Sequence, residues 1–320
     1  MLAVGVDIGG TKIAAGVVDE EGTILAQDRR DTSPRDAAGI DRSIAEIVGT
    51  FAETYEFDAI GLAAAGFVSS DRIHVTYGTN IPAWRDYPLA TRIAELVGNG
   101  ITVVVENDAN AAGWGEFVHG AGRGVSNMVM LTIGTGLGAA MVIDGQLIRG
   151  GYGFAAEFAH MRFVPDGHLC GCGHRGCWEQ YSSGSALVRE ARLEALENPE
   201  RAAGILAQAG GTAEHLTGPH VTDAAVAGDP LAVSLLSELG TRIGEGCATL
   251  AAILDPEIYV VGGGVIAAGD LVLEPAREAY ERALPAKGYR PPVPIVAAAM
   301  GNEAGIVGAA SLARVQPPKR

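Results

Sequence analysis

The chain has 320 residues, of which 48% are hydrophobic and 19% charged, with 45 glycines and a formal net charge of −15. This composition specifies a globular protein rich in tight turns, longer than a single core usually holds, so two lobes are expected. The acidity opposes unassisted nucleic-acid binding. No apolar run reaches the roughly 18 residues of a membrane helix, and the N-terminus enters an apolar strand without a basic leader, which points to the cytoplasm and to reduced thiols.

Taken in order, Leu2 to Asp7 reads as a buried strand, Ile8-Gly9-Gly10-Thr11-Lys12 as a glycine turn, and the residues through Val17 and Val18 as a second strand. An ordinary hairpin turn explains these letters. So does a phosphate site, in which the glycine amides approach phosphate oxygens, Thr11 and Lys12 add a hydroxyl and a charge, and Asp7 holds magnesium through water. A third strand is expected at Ile24 to Asp28, and the spacing of Ile40, Ile44, Ile47, Val48 and Phe51 predicts an amphipathic helix. Ala59 to Ala64 makes a fourth strand ending at Gly66. The irregular loop Thr79 to Trp84 follows, where Asn80 is a candidate ligand for a hydroxylated substrate or simply a turn former. Ile101 to Val105 is a β-branched strand that switches into a helix at Glu106-Asn107-Asp108-Ala109-Asn110. At such a junction Asn107 and Asp108 read either as helix caps or as a substrate ligand and a general base.

The second half echoes the first. Asn127 to Ile133 is a strand, Gly134-Thr135-Gly136-Leu137-Gly138 a glycine turn, and Ala139 to Ile143 and Gln146 to Ile148 two further strands. Two strand-glycine-strand units indicate a duplicated lobe whose turns face a nucleotide across a cleft; the missing helix after the turn rejects a dinucleotide-binding Rossmann motif. The stretch Glu157 to Glu179 carries His160, His168, His174, Cys170, Cys172 and Cys177. His160 with the three cysteines forms a soft tetrahedral donor set suited to zinc, and four protein ligands leave no open position, so the metal is expected to be structural. Beyond it, helices are expected at Ser185 to Glu197, Ala202 to Gln208, Leu231 to Leu254 (with Cys247 in the core), Leu271 to Leu284 and Gly301 to Ala313, the last capped by Asn302 and Glu303. Strands are expected at Ile258 to Val261, running into Gly262-Gly263-Gly264, and at Val293 to Ala297, with Gly210 to Pro219 a loop and 316–320 a frayed tail. The expected division is 1–115 plus 301–320 for a smaller lobe and 116–300 for a larger lobe carrying the zinc loop.

Asp7-Ile-Gly-Gly-Thr-Lys12, Glu106-Asn-Asp-Ala-Asn110, Leu131-Thr-Ile-Gly-Thr-Gly-Leu-Gly138, Glu157 to His160, Cys170-Gly-Cys-Gly-x-x-Gly-Cys177-Trp-Glu179 and Val261-Gly-Gly-Gly264 together resemble the ROK family of bacterial sugar kinases and repressors, nearest its actinobacterial ATP-dependent glucokinases. The resemblance implies an α/β fold of the two-lobed actin-like ATPase (ribonuclease H-like) type. It also implies transfer of the γ-phosphoryl group of ATP to the 6-hydroxyl of glucose. Asp108 would be the base, and Gly66, Asn80, Asn107, Glu157, His160 and Glu179 would surround the sugar with it. Asp7, Gly9, Gly10, Thr11, Lys12, Gly134, Thr135, Gly136 and Gly138 would embrace magnesium and the phosphates, and Gly262, Gly263 and Gly264 would lie against adenosine. His160 would put one ring nitrogen on zinc and the other toward the sugar. The family usually has glycine where Ala156 and Ala159 stand, and Phe154 is bulkier than its pattern. A sugar-responsive repressor is disfavoured by the charge and by the absence of a helix-turn-helix segment before Asp7. Kinases of N-acetylmannosamine, mannose or fructose and a polyphosphate-using enzyme remain alternatives, and a homodimer or homotetramer is a family expectation.

Overall fold

The computed structural model describes residues 1–98 and 100–315; the tail expected to fray, 316–320, lies outside them. The first sheet is built from β1 (Ala3–Ile8), β2 (Lys12–Val18) and β3 (Ile24–Asp31), then α1 (Ala37–Ala52) and β4 (Ala59–Ala64). Three short strands follow, β5 (Gly66–Val68), β6 (Val75–Gly78) and β7 (Arg85–Tyr87), then α2 (Leu89–Val97), β8 (Thr102–Asn107) and α3 (Asp108–His119). The sheet order is β3-β2-β1-β4-β8, with the first two pairings antiparallel and the last two parallel. β4 is buried throughout, as a central strand covered on both faces requires, whereas edge strand β3 alternates between partly buried and exposed residues. In α1 the expected stripe of Ile40, Ile44, Ile47, Val48 and Phe51 is buried, and Asp36 caps the helix by accepting from Gly39 N at 2.9 Å.

β9 (Met128–Ile133), β10 (Leu137–Ile143) and β11 (Gln146–Leu147) open the second half. Four helices follow: α4 (Gly184–Glu197), α5 (Ala203–Gln208), α6 (Gly218–Val226) and α7 (Pro230–Leu254). β12 (Ile258–Gly262), α8 (Asp270–Ala283), β13 (Ile295–Ala297) and α9 (Ala304–Arg314) complete the chain. The second sheet runs β11-β10-β9-β12-β13. Each sheet thus places its third, second, first, fourth and fifth strands in the same order, the duplication of the actin-like ATPase class. α7 and α8 pack closely because Gly240 and Gly244 have no side chain: a Cβ there would fall 2.2 Å from Val272 O and 2.0 Å from Ala276 O.

By contacts the chain divides into two units. One comprises 1–126, 140–156 and the residues from Ala299 onward; the other comprises 127–139 and 157–298. In the first, α9 returns to pack on β1, β4 and α3. The fully buried Glu116 of α3 ties the returning chain down by accepting from Ala299 N at 3.1 Å and Met300 N at 2.7 Å, as well as from Ala121 N at 2.8 Å.

Two expectations are corrected, and one element is new. Gly210 to Pro219 is not a continuous loop: 213–215 form a 3-10 turn and α6 starts at Gly218, with Pro219 in its first turn, where a missing N–H removes no helical bond. Asn302 and Glu303 form a 3-10 turn ahead of α9, and Glu303 accepts from Gln27 Nε2 at 3.2 Å instead of making a side-chain cap. The segment 66–87 holds the small β5-β6-β7 sheet, whose strands of three or four residues are too short for an alternating pattern to register.

Candidate active site

In the first unit, the junction between β8 and α3 bears out the cap reading of Asn107. Its Oδ1 caps α3 by accepting from Asn110 N at 3.0 Å, while its Nδ2 donates to Gly66 O at 3.0 Å and to Asp108 Oδ1 at 3.2 Å. Asp108 is the first helical residue, and its Oδ1 also accepts from Ala109 N at 3.0 Å. Burial raises its proton affinity above the ordinary carboxylate range, the Ala109 amide opposing this; the side chain keeps some solvent exposure. Asp7, at the end of β1, is pushed up to about 7 by burial and then by the Asp108 charge. Asp7 and Asp108 are therefore electrostatic neighbours, and a cation beside them would draw both toward the ionised form. Asn80 stands over the first glycine turn, 3.0 Å from where a Cβ on Gly10 would be. The turn is closed by Gly9 N donating to Lys12 O at 2.9 Å, and Thr11 and Lys12 are exposed.

Glu106 escaped the sequence reading. It is buried and organises the junction from behind: Oε2 accepts from Arg149 Nε at 2.7 Å and Nη2 at 2.6 Å, and Oε1 from Asn110 Nδ2 at 3.1 Å and Asn107 N at 3.3 Å. Its signal was a glutamate ending an otherwise β-branched strand, where burial demands partners that lie far along the sequence.

In the second unit, the donor atoms of His160, Cys170, Cys172 and Cys177 all lie within 4.8 Å of one another. Cys170 Sγ is 3.7 Å from His160 Nδ1, and Cys172 Sγ is 3.5 Å from Cys177 Sγ. A tetrahedral zinc with bonds of about 2.0–2.3 Å sets its donors about 3.5–3.8 Å apart, so the residues present fit that ion. Burial, and then the neighbouring thiols, push Cys177 up to about 12, so thiolates here need a cation to compensate them. The His160 ring turns Nδ1 to the sulfurs and Nε2 toward Glu157 Oε2, 3.9 Å away. His168 and His174 are not in the cluster; the His168 ring lies against Tyr181, and His174 O accepts from Cys170 N at 2.8 Å. After Cys177 the chain is pinned by buried Trp178, whose Nε1 donates to Arg242 O at 2.9 Å and whose ring lies where a side chain on Gly246 would be.

Also in this unit is a cavity of about 790 Å³, flanked by the turn residues Gly134 and Thr135, by α4 and α6, and by Gly264, Val265 and Ala267. Of the three consecutive glycines, Gly264 faces the cavity. Gly263, at φ 93°, packs its Cα on the backbone of Ile133, and Gly262 ends β12 beside Ala298 and Met130. Gly136 faces Glu179, whose Oε2 accepts from Leu137 N at 3.1 Å, while Gly138 lies within β10.

Residues 3–316 match the ROK family over nearly the whole chain. The chain belongs to the ROK family. It is similar to the glucokinase of Streptomyces coelicolor, with 49% identity over 317 residues covering 99% of each chain. It is also 34% identical to that of Thermotoga maritima, over 97% of this chain and 96% of that one. A solved ROK family glucokinase from Streptomyces griseus in complex with glucose and AMPPNP superposes with a TM-score of 0.88 at 49% identity, covering 98% of this chain and 99% of that one.

Proposed function

We propose that the protein is an ATP-dependent glucokinase that transfers the γ-phosphoryl group of ATP to the 6-hydroxyl of glucose. The observation that carries this reading is the setting of Asp108, a carboxylate of raised proton affinity fixed by Asn107 and Ala109 at the end of a strand, in a chain similar end to end to glucokinases. Asp108 takes the proton of the 6-hydroxyl as that oxygen bonds to the γ-phosphorus and the bond to the bridging oxygen of ADP breaks. Asn107 orients Asp108 and, with Gly66, Asn80, Glu157, His160 and Glu179, recognises sugar hydroxyls by supplying paired donors and acceptors. The two glycine turns position phosphates, and Asp7, Thr11 and Lys12 meet the charge of a magnesium nucleotide. The cavity walled by α4 and α6 suits a flat base and ribose. Zinc on His160, Cys170, Cys172 and Cys177 would supply rigidity, fixing the His160 ring beside Glu157. Among the described residues no helix is long and apolar enough to cross a membrane, and exposed Cys172 is compatible with the reducing cytoplasm.

The test is release of ADP from magnesium ATP by the purified, zinc-replete protein, with glucose, mannose, fructose and N-acetylmannosamine in parallel and polyphosphate as a competing donor. Turnover with glucose well above the other sugars is expected. Preference for another hexose would move the substrate and keep the mechanism, whereas no turnover with any sugar would defeat the reading.

A further inference from the structure

The second glycine turn is held by the segment that follows the zinc ligands. Glu179 Oε2 accepts from Leu137 N at 3.1 Å, Gly184 N donates to Gly134 O at 2.8 Å, and Ser185 N donates to Thr135 O at 3.1 Å. These three bonds span residues 134–137 and arise from residues 179–185, which begin two positions after Cys177. The approach is so close that the turn and its holder must both contain glycine. A Cβ on Gly136 would lie 2.5 Å from Glu179 Oε2, and one on Gly184 would lie 2.6 Å from Gly134 O. The other Glu179 oxygen, Oε1, sits 3.7 Å from Cys170 Sγ, so one carboxylate touches both the turn and the thiol cluster. Cys177, one of the cluster's donors, and Trp178 fix the chain immediately before it.

We propose that Glu179 is a positioning residue for the nucleotide phosphates: it shapes the Gly134–Leu137 turn from the zinc loop, so that metal loading sets phosphate affinity even when no sugar is present. The inference rests on the reading of this turn as a phosphate site. It differs from a role for Glu179 on sugar alone, because it predicts a defect in binary nucleotide complexes. A glycine turn has several conformations of similar energy, and these three bonds, with the turn's own bond from Gly134 N to Gly136 O at 3.0 Å, select one before the ligand arrives, which reduces the ordering that binding must otherwise supply.

The experiment measures binding of AMPPNP with magnesium, and separately of adenosine, to the full chain without sugar, together with amide exchange of the peptide around 131–139. It compares the zinc-replete protein, the chelated protein, Glu179→Ala, Glu179→Gln and Gly136→Ala. Loss of the strut is expected to weaken AMPPNP about tenfold or more in Glu179→Ala, Gly136→Ala and the chelated protein, with faster exchange at 134–138 and adenosine within about twofold. Glu179→Gln keeps an acceptor oxygen for Leu137 N and is expected to recover most of the affinity. Unchanged or tighter AMPPNP binding in Glu179→Ala would overturn the proposal, since the carboxylate would then act only by charge or not at all; equal losses for adenosine and AMPPNP would overturn it as general disorder. Failure of the zinc-replete protein to bind either AMPPNP or adenosine would instead defeat the kinase reading itself.

Discussion

The two glycine turns occupy equivalent places in duplicated sheets, each between the first and second strand, yet they are built for different work. The first follows Asp7, whose buried carboxyl is raised to about 7, and exposes Thr11 and Lys12. Its closing bond runs within the turn, from Gly9 N to Lys12 O. The second carries no charged side chain of its own and, besides its internal bond from Gly134 N to Gly136 O at 3.0 Å, is held by bonds from 179–185. Duplication preserved the backbone device, a glycine turn between the first two strands of each sheet. In the proposed reading the surroundings divide the labour: charge and proton chemistry around Asp7 and Asp108, rigid positioning around the His160, Cys170, Cys172 and Cys177 loop.

The largest effect should come from the charged side of this division. Asp108→Asn is expected to lower kcat by about 10²–10⁴-fold while glucose affinity, followed by tryptophan fluorescence or calorimetry, changes by less than about threefold. Near-normal turnover would remove Asp108 from the chemistry. Since burial raises its proton affinity, kcat/KM of the intact protein should decline on acidification at a pH above the ordinary carboxylate range, as the base becomes protonated.

Cys172→Ser tests the positioning side. It should lose the metal and weaken glucose binding by about tenfold or more, and full zinc occupancy in an elemental assay would contradict the four-ligand cluster.

Asp7→Asn separates charge from folding. The folded carboxyl titrates near 7 against 3.8 ordinarily, so the native state binds a proton that the unfolded chain has released across this window. The group therefore favours the fold at acid pH and opposes it increasingly as pH rises from about 4 to 7. The variant should melt about 2 °C or more higher than the parent at pH 7.5 and indistinguishably near pH 4, with phosphoryl transfer impaired at pH 7.5. An equal shift at both pH values would show that titration is not the cause.

The smallest effect is expected at Ala156, which adopts φ 69° immediately before Glu157. A left-handed alanine is strained by about 1 kcal/mol, partly offset on substitution by the greater freedom of unfolded glycine. Ala156→Gly should stabilise the protein by up to about 1 kcal/mol in urea unfolding, and destabilisation would show that the buried methyl contributes more by packing. Ala159 differs: it is buried in the 3-10 turn 158–160, in a conformation that does not require glycine.

The sequence by itself determined the strands that begin each half, the amphipathic α1, the long α7, the switch from strand to helix at Asn107 and Asp108, and the four-residue donor set of the zinc loop. These are local matters: apolar runs, helical spacing, glycine pairs and clustered ligands act within some twenty residues, and steric preference writes them directly into neighbouring letters. Tertiary structure alone decided which polar groups meet. Asn107 reaches Gly66 O across 41 positions, Arg149 reaches Glu106 across 43, and Leu137 N finds the Glu179 carboxylate across 42. It also decided that Gly264 faces the cavity while Gly263 packs on Ile133, and that the segment after Gly66 folds into a small sheet. The reason is physical: a buried carboxylate or amide must find a partner wherever the packed backbone brings one, and that pairing depends on how distant segments stack, which no local pattern encodes.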